Sequence, residues 1–96
     1  MREKNNNFIP TVAVAPGETI RDEMDFLGWD QLELATKLDI PTKYLRNILS
    51  GSDPITDVIA IKLERVLGPS AEFWMNLETN YQLDKSRLEE ELREGL

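Results

Sequence analysis

Thr42, Lys43, Arg46 and Asn47 occupy two successive turns of one helical segment and carry the donors and acceptors that base-pair edges require. Lysine and arginine donate to the acceptors of guanine, and asparagine makes a two-bonded pair with adenine. Tyr44 and Ser50 flank the same face. Gln31 opens the preceding segment, where an amide can donate to a phosphate with help from the helix dipole. Other chemistries are poorly provided for. The 96 residues include no His and no Cys, so the commonest general base, metal ligand and thiolate nucleophile are missing. Asp22, Glu23 and Asp25 crowd one segment with no nucleophile, Gly-rich phosphate loop or oxyanion donor beside them. No enzyme, no cofactor and no metal site is expected.

Side chains that read bases must stand on a helix able to enter a major groove, braced by a second helix across a short turn. The stretch QLELATKLDIPTKYLRNILS, residues 31–50, meets these demands at fixed offsets. Ala35 is small enough for a close crossing. Asp39, four residues on, tolerates the positive φ of the corner. Leu34, Leu38, Ile40, Leu45 and Ile48 fill the angle from both sides. An ordinary αα-corner of a bundle has the same outline. The match at these seven positions and the acid-free outer face of the second helix favour the DNA-reading form.

Helical periodicity extends from residue 16 to the end, with punctuation at Gly28, Asp39 to Pro41, Gly51 to Ile55, and Gly68 to Pro69. Five helices are predicted and no strand, hence an all-α fold. In the first, Pro16 stands near the start, Ile20, Met24 and Leu27 form a stripe, and Gly28 stops it. Asp30 and Glu33 make a capping-box pair for the second. Pro41 opens the third as its first residue. Thr56 caps the fourth, with Ile59, Ala60, Leu63, Val66 and Leu67 inward, and Ser70 caps the fifth, which carries Phe73, Trp74, Leu77 and Tyr81. The aromatic trio reads as core and dimer packing. Trp29 is either a staple on the second helix or an exposed contact. The organisation expected is a flexible arm over 1–15, a helix-turn-helix domain over 16–83 and a charged tail over 84–96. The tail either continues as an exposed helix or crosses to a partner.

The charge is −7, with 18 acids against 11 bases, which at first argues against nucleic acid. It is not uniform. Residues 17–39 hold seven acids and two bases, whereas 40–52 hold Lys43, Arg46 and no acid. A short cationic strip therefore lies on an acidic body, which predicts weak binding per monomer. Two-fold dimers with recognition helices about 34 Å apart on an inverted repeat are expected. The sequence contains neither an export signal nor a run of about 20 apolar residues, so the expectation is a cytoplasmic protein with no membrane partner.

The order PGETI, helix-turn-helix, GSDPIT and LERVLGPSAEFWMNLETNYQL resembles the HigA-type antitoxins within the lambda-repressor-like helix-turn-helix group. The resemblance covers residues 15 to about 84, and its most specific part is Pro69 to Trp74 continuing through Asn76, Leu77, Asn80 and Tyr81. It implies a five-helix lambda-repressor-like domain, an antitoxin that neutralises a small basic RelE-like ribonuclease toxin, and repression of its own operon by dimers on operator DNA. The family's DNA-reading positions fall on Gln31, Thr42, Lys43, Arg46 and Asn47, with Tyr44 and Ser50 on the flanks. This chain departs from the pattern at Asp39, usually Gly; at Ser52 and Asp53, where the loop is often basic; and at Ala15, commonly His. The toxin-binding surface stays open between the arm, the tail and the acidic face of the first helix. Two alternatives remain: a stand-alone transcriptional repressor, and the N-terminal DNA-binding module of a longer protein.

Overall fold

The structure, a computed structural model, describes residues 12–94. Five helices follow one another: α1 (Pro16–Leu27), α2 (Gln31–Leu38), α3 (Thr42–Ser50), α4 (Asp57–Leu67) and α5 (Ala71–Glu94). There is no strand among the described residues, and the all-α expectation holds.

Each boundary has a local cause. Asp30 accepts the Glu33 amide at 2.8 Å while Glu33 accepts the Asp30 amide at 3.1 Å, so the capping box forms in full. Thr56 and Ser70 cap α4 and α5 through the amides of Ile59 and Phe73. At the other ends, α1, α2 and α3 stop in the same way. Gly28, Asp39 and Gly51 turn left-handed, and the next amide reaches back five residues: Trp29 to Met24, Ile40 to Ala35, Ser52 to Asn47. Pro41 differs from expectation. It stands just outside α3 with an extended ψ of 144°, and the helix begins at Thr42, because the fixed φ of proline suits the cap as well as the first turn.

The core gathers Ile20, Met24, Leu34, Ala35, Leu38, Leu45, Ile48, Leu49, Ile55, Ile59, Ala60, Leu63 and Trp74 from all five helices and the loop before α4. Trp74 is fully buried, and its indole N–H donates to the Pro69 carbonyl at 3.1 Å, so the polar end of the ring is satisfied. Phe73 is not core. It meets Trp74 edge-on at 5.1 Å but stays 41% exposed, because the two neighbours lie about 100° apart around the helix. Leu27 likewise faces outward in the last turn of α1, where the chain is already leaving for Gly28. Val66 and Leu67 are half-buried against the core. Trp29 packs on the core edge, and the Lys37 ammonium lies 4.7 Å from its ring centre, which makes it a staple on α2.

α1 meets α3 at Gly17, where a Cβ would strike the Leu49 carbonyl oxygen and lie 2.6 Å from its carbon. Only a glycine allows that approach. α5 runs 24 residues without interruption, so residues 84–94 continue the helix as an exposed, charged extension. The expected arm falls largely on residues outside those described, and its last part, Val12 to Ala15, lies without regular secondary structure beside Ser50 and Tyr81.

Candidate nucleic-acid interface

α3 is amphipathic in the strict sense. Leu45, Ile48 and Leu49 are buried, while Lys43, Arg46 and Ser50 are exposed, and Thr42 and Asn47 are half-exposed. Six of the seven sequence-identified residues therefore share this one helix. Tyr44 leans on the core and offers only part of its ring outward. Gln31, the first residue of α2, is half-exposed beside the box formed by Asp30 and Glu33. No side chain caps the N-terminus of α3, so its first amides stay available to an acceptor at the positive end of the dipole.

The elements behind α3 hold it from two sides. α1 packs on it through Gly17, and α2 packs on it across the Asp39 corner, whose φ is 58°. Lys62 of α4 donates to the Leu38 carbonyl at 3.0 Å and reaches the Asp39 carbonyl at 3.5 Å, which places a cation at the negative end of α2. Sequence reading missed this lysine. It missed Glu78 too, a buried carboxylate on α5 that accepts the Ile55 amide at 2.9 Å and the Gln82 amide group at 2.6 Å. An acid four residues after the buried Trp74, on the stripe that faces the core, was the signal available.

The loop after α3 is closed by Asn47, whose carbonyl accepts from the Ser52 and Asp53 amides and from the Ser50 hydroxyl. The Ser50 and Ser52 hydroxyls lie 3.0 Å apart. Both are exposed, so the C-terminal end of α3 and the loop after it carry two small hydroxyls in place of a cation. Among the described residues, no group of three or more acids able to hold a metal ion occurs, and no helix is long and apolar enough to cross a membrane.

The family model described as helix-turn-helix matches residues 20–74. The chain belongs to that family. The uncharacterized HTH-type transcriptional regulator YddM of Escherichia coli K12 is 32% identical over 68 residues, 71% of this chain and 72% of that relative. Among solved structures, an addiction module antidote protein of the HigA family from Coxiella burnetii is similar with a TM-score of 0.77 and 32% identity, over 85% of this chain and 89% of that one. The Pseudomonas aeruginosa antitoxin HigA, solved with the higBA promoter, is similar with a TM-score of 0.78 and 29% identity, over 85% and 90% of the two chains. The helix-turn-helix family and HigA-type antitoxin neighbours thus agree with the reading of residues 31–50, and the lambda-repressor-like fold stands.

Proposed function

We propose that this helix-turn-helix protein is a HigA-type antitoxin that represses its own operon through α3 and neutralises a small basic RelE-like ribonuclease toxin. The observation that carries the DNA half is the outer face of α3, where Lys43 and Arg46 are exposed with no acid from residue 40 to 52. Lys43 and Arg46 read base edges or clamp phosphates, Asn47 and Thr42 supply bidentate and hydroxyl contacts, and Gln31 fixes the register from α2. Ser50 and Tyr44 flank the contact. The solved HigA bound to a promoter supports the same use of the fold. Binding is by homodimers, since an acidic body needs two strips on one duplex to overcome phosphate repulsion.

The toxin half rests on the remaining charge, net −5 over residues 17–39, −3 over 53–83 and −2 over 84–96, and on the similarity to an addiction module antidote. Activity belongs to the partner, and this chain acts by sequestration without catalysis, in the cytoplasm. The similarity to a transcriptional regulator favours a second reading, a repressor with no toxin. Co-expression with the adjacent reading frame separates them. Rescue of growth and a co-purifying basic protein support the antitoxin. Operator binding with neither supports the repressor, and failure of the chain to bind its own upstream DNA in a mobility shift refutes both.

A further inference from the structure

We propose that the outward face of α4 is the surface on which a second copy of this chain docks, the two α4 helices running antiparallel about a two-fold axis at Ile61. The proposal rests on the homodimer reading above and names its contact. Val58 is 61% and Ile61 43% exposed, so two branched apolar side chains of one short helix stand in solvent. Together with Arg65 they fall at i, i+3 and i+7, one stripe of α4. Beside the stripe, between α4 and α5, runs an open groove with Ala60, Ile61, Ala71 and Met75 as its apolar lining.

The charges on this face are ordered so that the face complements itself. Asp57 stands four residues before Ile61 and Arg65 four residues after it, and both are exposed. Among the described residues neither is in a salt bridge; the pairs present are Arg87 with Asp84 and Arg93 with Glu90. A two-fold through Ile61 brings each Arg65 to the second copy's Asp57 and lays its aliphatic stem over the second copy's Val58. Antiparallel α4 helices also align their dipoles favourably. The groove is bordered by Glu64 and Glu72 as well, so a cationic protein is the rival occupant. Arg65, exposed at the C-terminal end of the same stripe, opposes a purely cationic partner and fits one that brings both signs. α4 packs on α5 and α2 while α3 packs on α1 and α2, so docking here leaves the base-reading face of α3 open.

The test is sedimentation velocity on the full chain over a concentration series, with circular dichroism to confirm that each variant is folded. Wild type is expected as a dimer, and Ile61→Asp as a monomer. Val58→Asp, at the more exposed position, is the second variant should Ile61→Asp fail to fold. Asp57→Arg and Arg65→Asp should each weaken the dimer about tenfold, because the axis duplicates every lost pair and adds two repulsions. Combining them should restore affinity to within about threefold of wild type. A wild-type dimer with Ile61→Asp and Val58→Asp equally dimeric overturns this interface while leaving the homodimer reading intact. A monomeric wild type overturns both. Folded variants that keep the dimer but lose a co-expressed cationic protein overturn the proposal and assign the groove to that protein.

Discussion

Glu78→Met separates the hydrogen-bonding role of a buried carboxylate from its packing. Glu78 is only 7% exposed and receives two donors, the Ile55 amide at 2.9 Å and the Gln82 side chain at 2.6 Å. Methionine keeps the volume of the side chain and removes both acceptors. Ile55 is 3% exposed, so its amide is left without water or partner. An orphaned buried donor costs about 1–3 kcal/mol, and the Gln82 bond, which ends near solvent, adds about 0.5 kcal/mol. The expected loss is about 1.5–3.5 kcal/mol. Glu78→Gln retains an acceptor for Ile55, and Gln82 can present its oxygen after an amide flip, so that variant should lose about 1 kcal/mol or less. For a domain of this size each kcal/mol moves the Tm by about 4–8 °C. Urea and thermal unfolding followed by circular dichroism give both numbers. If Glu78→Met and Glu78→Gln agree within about 0.5 kcal/mol, the Ile55 amide is not held by this carboxylate and the reasoning fails.

Gly17→Ala should cost about 1–3 kcal/mol despite the better helix propensity of alanine, because the new methyl meets the Leu49 backbone, which cannot rotate away; an unfolding midpoint equal to wild type would contradict the close crossing. Asp39→Gly should stabilise the chain by about 0.5–1 kcal/mol, since Asp39 holds a φ of 58° that glycine adopts without strain; the same urea titration reads the sign. Lys43→Ala with Arg46→Ala should weaken operator binding and lower the salt slope by about one to two counterions while toxin neutralisation persists. A double variant that binds DNA normally but no longer neutralises would mean that α3 is not the reading helix.

The helix boundaries were legible because each is written in short-range chemistry: Asp30 with Glu33, Thr56, Ser70, and the left-handed positions Gly28, Asp39 and Gly51. That six of the seven candidate residues share one helix was legible for a similar reason, since they lie within nine consecutive positions. Long-range choices were not. Nothing near Gly17 in the chain says that Leu49 will lie against it, and Phe73 and Trp74 are neighbours of like character until the core takes one of them. Pro41 suits both the cap and the first turn, so local preference alone could not place it. Glu78 and Lys62 act on partners 23 and 24 residues away, and no periodicity encodes a contact of that span.

Lys62 has one further consequence. Its ammonium grips the end of α2 at the corner that aims α3, and the adjacent Ile61, about 100° away around α4, is exposed on the face of the proposed second copy. A single helix thus joins the site of self-association to the angle of the reading head, and the two equilibria obey thermodynamic linkage. Whatever factor association contributes to operator affinity, the operator returns to association. The dissociation constant of the free dimer is then only an upper limit, and on a palindromic site the same two chains hold each other more tightly.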